Sequence, residues 1–115
     1  MTKELAEKSM SIILHSGDAR EKCMEALDAV ADDDFEKAKK LMDEAQNEII
    51  LAHKIHTELL QLSMTKEQEE YSVLFAHAQD TLMTVNSEMN IARKLIDIFE
   101  GKSKKASKGK EDKNV

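Results

Sequence analysis

Proline and tryptophan are absent from this chain of 115 residues, and its aromatic residues are only three Phe and one Tyr. With three Gly and no Pro, the chain is short of the residues that reverse a β-chain, so helices with brief connections are expected. A single Cys excludes an internal disulfide, and no Cys/His pattern has zinc-finger spacing. Cys23 lies among Ala19, Ala26 and Leu27 and reads as a small buried apolar residue. Apolar runs such as Ile12–Leu14 fall far short of the roughly 20 residues that span a bilayer. No apolar signal-peptide region follows Met1. A cytoplasmic protein without direct membrane insertion is expected.

Charge is present in quantity and unevenly placed. Residues 1–100 carry 11 Lys and Arg against 21 Asp and Glu, a balance of −10, whereas residues 101–115 carry six Lys against two acids, a balance of +4. An acidic body without aromatic platforms among basic residues repels phosphate backbones, which excludes a nucleic-acid module. The segment from Gly101 to Lys110 has no apolar side chain larger than Ala. It is expected to be disordered, giving two parts: a domain over 1–100 and a Lys-rich tail over 101–115.

Apolar residues recur at helical spacing in three stretches. Leu5, Ile12, Ile13, Ala19, Cys23, Ala26, Leu27 and Val30 predict a first helix over 3–31, with a weak point at Ser16-Gly17-Asp18 where a kink or a close helix contact can form. Phe35, Ala38, Met42, Ala45, Ile49, Ala52, His56 and Leu59 form the seam of a second helix over 34–63, with Asp33 and Glu36 as a capping box. Tyr71, Phe75, Ala78, Leu82, Val85, Met89, Ala92, Ile96 and Phe99 mark a third, capped by Thr65 and Gln68 and stopped by Gly101. Short connections at 31–33 and 64–65 predict an all-α, antiparallel up-down-up three-helix bundle.

The third helix carries a second stripe: Val73, His77, Asp80, Thr84, Ile91, Leu95 and Ile98. One helix with two partly apolar faces touches two neighbours, so a homo-oligomer is expected. His77 and Asp80 are three residues apart and lie on one side of that helix. A neutral imidazole can attack phosphorus without a strong base. If copies of Asp80 converge at a symmetry axis, their carboxylates either raise one another's pKa or recruit Mg²⁺; otherwise Asp80 is simply exposed. There is no Gly-rich phosphate loop, no Ser/His/Asp order and no paired Glu-x-x-His motif, so nucleotide-binding, hydrolase and di-iron readings lack support.

The run His77-Ala-Gln-Asp-Thr-Leu-Met-Thr84 resembles the active-site motif of the lactose/cellobiose (chitobiose) type enzyme IIA of the phosphoenolpyruvate-dependent sugar phosphotransferase system. The likeness extends to Ser16-Gly-Asp-Ala-Arg20, Asp34-Phe35 with Ala38-Lys39, Ala52-His53 and Tyr71-Ser-Val73, and covers residues 4–100. The resemblance implies a homotrimeric helical phosphocarrier. His77 would accept a phosphoryl group from phospho-HPr through Nε2 and pass it to a cysteine of the IIB component, during uptake of a lactose-, cellobiose- or chitobiose-type sugar through membrane-embedded IIC. It further implies that Asp80 binds Mg²⁺ shared between subunits at the trimer axis and that Gln79 hydrogen-bonds the phosphoryl oxygens. Thr81 stands where the family commonly has a second histidine, and His56 where relatives often have Gln. These departures and the Lys tail keep open a regulatory paralogue or a non-catalytic helical adaptor.

Overall fold

The computed structural model describes residues 2–65 and 72–113. They form three helices, α1 (Lys3–Ala31), α2 (Phe35–Thr65) and α3 (Val73–Lys113), in a rod of 74 × 18 × 18 Å. At about 1.5 Å per residue α1 and α2 are each about 45 Å long. α1 packs most extensively on α2 and next on α3. The all-α three-helix expectation is met.

Side chains set each helix start. Thr2 accepts from the Leu5 N–H at 3.1 Å. The tight corner between α1 and α2 is built from three consecutive aspartates. Asp34 N–H donates to the Ala29 carbonyl and Asp33 N–H to that of Val30, both at 2.9 Å, while Asp33 has φ 58°. That is a Schellman closure with Asp in the left-handed position that glycine usually fills. Asp34 then caps α2, its Oδ1 accepting from the Lys37 N–H at 3.1 Å. The expected capping box on Asp33 and Glu36 is therefore displaced by one residue, because Asp33 is used to end α1.

α3 starts later than expected, since Ser72 Oγ accepts from the Phe75 N–H at 3.1 Å. Thr65 is the last residue of α2, not a cap of α3; Gln68 and Tyr71 lie outside the described residues. Gly101 does not stop α3, and the segment read as a disordered tail continues the helix to Lys113. No glycine has positive φ, and a helical Gly costs only about 1 kcal/mol against Ala. Glu100 helps carry the helix onward through Lys104 at 3.8 Å, one turn ahead.

The core follows the predicted seams. Ile12, Ala19, Cys23 and Ala26 of α1 meet Ala38, Met42, Ala45, Ile49, Ala52 and Leu59 of α2 and Ala78, Leu82, Val85, Met89, Ala92 and Ile96 of α3. The many alanines let the helix axes approach closely, which keeps the rod narrow. Phe99, expected in the seam, is 49% exposed. Gly17 produces no break in α1, and a Cβ placed there would touch nothing within 4 Å, so it does not serve a close helix contact within the chain. Ser9 and Ser16 are fully buried, and their hydroxyls have no partner among the described residues.

Candidate functional site

The second stripe of α3 is on the surface. Val73, His77, Asp80, Thr84, Ile91, Leu95 and Ile98 are all exposed, with Val73 at 71% and Ile91 at 59%. At 100° per residue these positions fall within one narrow arc, centred about 130° from the buried seam. Among the described residues nothing covers them. Arg20 of α1 crosses to the edge of this face and grips Glu88 with a two-pronged ion pair of 2.9 and 3.1 Å. The Glu88 hydrogen bond raises the Arg20 pKa further, against slight desolvation.

His77 is the fifth residue of α3, just beyond the turn capped by Ser72. Among the described residues its ring has no hydrogen-bond or ion-pair partner. Its backbone carbonyl accepts from the Thr81 hydroxyl at 2.7 Å. Thr81, the departure from the family motif, is thus bonded to the helix rather than to the imidazole. Asp80 is exposed one turn from His77, with no cationic partner among the described residues.

Gln79 is not beside His77. Two residues along a helix is a turn of about 200°, and the Gln79 side chain faces α2, where its Oε1 lies 3.1 Å from His56 Nε2. An imidazole N–H donating to the amide oxygen satisfies both groups. The same imidazole stacks on Phe75 with ring centres 5.7 Å apart and an interplanar angle of 15°. His77 and Asp80 are therefore brought together on one face, and Gln79 is engaged in the α2–α3 contact.

Cys23 is buried, and burial, with the negative charge of Glu88, pushes its thiol pKa up, against a smaller opposing effect of Arg93. A protonated, enclosed thiol is no nucleophile. The clefts lined by Asp33, Phe99 and Lys102 and by Glu25, Asp28 and Asp34 lie near the α1–α2 corner. Along α3 that is about 35 Å from His77, allowing about 1.5 Å for each intervening residue. His77 lines neither of them.

Sequence reasoning missed the Arg20–Glu88 grip and the grouping of His15, Asp18 and Glu48, whose ligand atoms all lie within 4.8 Å of one another. A usable signal was present: His15 and Asp18 repeat the three-residue spacing of His77 and Asp80.

A narrow helical bundle that displays, among its described residues, an unpartnered imidazole on an exposed helix face outside both of these clefts suits a class of protein whose substrate is carried by another macromolecule. Comparison with known proteins identifies which. Residues 7–100 match the family described as PTS system, Lactose/Cellobiose specific IIA subunit. The chain is 36% identical over 100 residues to the lichenan-specific phosphotransferase enzyme IIA component of Bacillus subtilis, spanning 87% of this chain and 91% of that protein. It is 40% identical over 88 residues to the lactose-specific EIIA component of Staphylococcus epidermidis, spanning 76% and 85%. The crystal structure of the cellobiose-specific enzyme IIA from Bacillus anthracis superposes with a TM-score of 0.83 at 35% identity, covering 91% of this chain and 95% of that one. The chain belongs to the lactose/cellobiose-specific IIA family of the sugar phosphotransferase system. Its function is that of a phosphotransfer component in sugar uptake, and the adaptor reading is not favoured.

Proposed function

We propose that His77 is the phosphoryl carrier of this IIA component. The observation that carries the reading is the exposed, unpartnered imidazole on α3. In the first transfer, Nε2 of His77 attacks the phosphorus of phospho-HPr. The phosphorus–nitrogen bond of the donor breaks as the new one forms, and Nδ1 keeps its proton. In the second, a cysteine thiolate of the IIB component attacks the same phosphorus and releases His77 neutral. Both steps are in-line displacements that need an accessible nitrogen and little else from the protein. The start of α3 lies one turn from His77, so its aligned N–H groups favour the negative charge that arrives. The family description and the relatives' names support a sugar of the lactose/cellobiose type; the IIA passes only the phosphoryl group, so the choice of sugar is not made at His77.

The exposed apolar residues Val73, Ile91, Leu95 and Ile98 support a homotrimer in which α3 faces its copies. Among the described residues of the stripe, one chain offers Mg²⁺ the Asp80 carboxylate alone, too few donors by itself. Three copies converging at an axis offer three hard oxygen ligands, which suits the ion. Mg²⁺ there would neutralise converging carboxylates and hold subunits together; it takes no part in phosphoryl transfer. With no described helix long and apolar enough to cross a membrane, a cytoplasmic carrier that meets IIC through IIB is the fitting arrangement.

The test is incubation with phosphoenolpyruvate, enzyme I and HPr. The wild-type chain should gain an acid-labile, base-stable phosphoryl group, and His77→Ala should gain none. Labelling that survives in His77→Ala overturns the assignment.

A further inference from the structure

We infer that His15, Asp18 and Glu48 form a binding site for a borderline divalent cation of the Zn²⁺ class, clamping α1 to α2. This site is separate from Asp80 and does not depend on the phosphocarrier reading. It is the one group of three or more convergent metal-ligating side chains among the described residues. The donors are of two kinds and come from two helices: an imidazole and a carboxylate three residues apart on α1, and a second carboxylate from α2. His15 and Glu48 are about three-quarters enclosed, with side-chain exposures of 30% and 25%.

Geometry fits the ion. Ligand atoms about 2.0–2.2 Å from Zn²⁺ in a tetrahedron stand roughly 3.3 Å apart. The three donors here lie within 4.8 Å of one another, and the His15 Nδ1 to Glu48 Oε2 distance is 2.7 Å. Closing the first spread takes up to about 1.5 Å and opening the second about 0.6 Å, displacements within the reach of side-chain rotation. The fourth position falls to water.

Electrostatics points the same way. The Asp18 and Glu48 carboxylates converge within a body of net negative charge, and among the described residues neither is paired with Lys or Arg. His15 alone stands between them. A divalent ion would relieve the repulsion of two carboxylates that the helices force together. Imidazole nitrogen selects a borderline metal such as Zn²⁺ over Mg²⁺, which prefers oxygen. Among the described residues the other histidines lack such company: His53 is exposed, His56 is held by Gln79, and His77 has Asp80 one turn away.

Calorimetric titration of the full chain, stripped with chelator, with Zn²⁺ alone tests the site. One Zn²⁺ per chain is expected, with affinity falling at least about tenfold in His15→Gln, Asp18→Asn and Glu48→Gln. The variant His77→Ala/Asp80→Ala should bind as the wild type does. Because His15 and Glu48 also hydrogen-bond across the helices, their variants can melt lower; the decisive quantity is the rise in Tm when Zn²⁺ is added to each protein. That rise should be present in the wild type and lost in the three triad variants. Absence of binding, a full Zn²⁺ response in Glu48→Gln, loss of the response in His77→Ala/Asp80→Ala, or equally tight Mg²⁺ binding would each overturn the inference.

Discussion

Thr81 has one hydroxyl proton, and it goes to the carbonyl of His77 one turn back. The helix there already supplies that carbonyl with a backbone donor, so the extra bond adds little, less than about 1 kcal/mol. Thr81→Val should therefore change the rate of HPr-dependent labelling of His77 by no more than roughly fivefold. A larger loss, measured by rapid quench, would mean that the hydroxyl turns to the phosphoryl group during transfer. His56 matters to the fold instead. Its stack on Phe75 and its bond to Gln79 make His56→Ala destabilising by about 1–2 kcal/mol in urea titration. Cys23, enclosed and held protonated, should stay inert to thiol reagents until the chain unfolds. A fast reaction in the native protein would contradict the burial.

At the scale of elements, the α1–α2 corner is the place to intervene. Asp33 holds a left-handed backbone that glycine adopts freely, so Asp33→Gly should stabilise the protein by about 0.5–1 kcal/mol, read as a higher urea midpoint with an unchanged slope. Periodicity in Ala38, Ala45 and Ile49 made α2 and its buried face legible, because one face must be apolar for the helix to pack. Its first residue was not legible: Asp32, Asp33 and Asp34 are equivalent as capping residues, and only the backbone decides that Asp33 ends one helix while Asp34 begins the next. Likewise His77 and Asp80 could be placed on one face from their spacing. The partner of Gln79 could not, since it depends on the rotation of α2 against α3. At the far end, Lys39 reaches Glu100 at 2.7 Å. That hydrogen bond chiefly, opposed by burial and aided by the charges of Lys104 and Lys39, holds the Glu100 carboxyl below its ordinary 4.5. A pKa depressed by folding gives stability that is complete above the ordinary value and lost as pH falls through the folded one. Lys39→Met should accordingly lower Tm at pH 7 more than at pH 3.

For the whole molecule, narrowness is the governing property. A rod 18 Å across has little interior, and what it buries runs along a single Ala-rich seam. Leu82→Ala, which opens a cavity in that seam, should cost about 2–5 kcal/mol by chemical denaturation. The exposed stripe on α3 leads to a separate expectation. Ile91→Glu or Leu95→Glu should reduce the mass found by sedimentation equilibrium toward the 13.0 kDa of one chain while leaving helicity unchanged. A wild-type mass already near one chain would overturn the trimer.

The open setting of His77 has a kinetic consequence. On the proposed assignment, a phosphoryl group on His77, which is exposed among the described residues of one chain, meets water as well as the next acceptor. Its fate is then a competition between spontaneous hydrolysis and capture. The share delivered onward then depends on how much acceptor is present and how fast it docks.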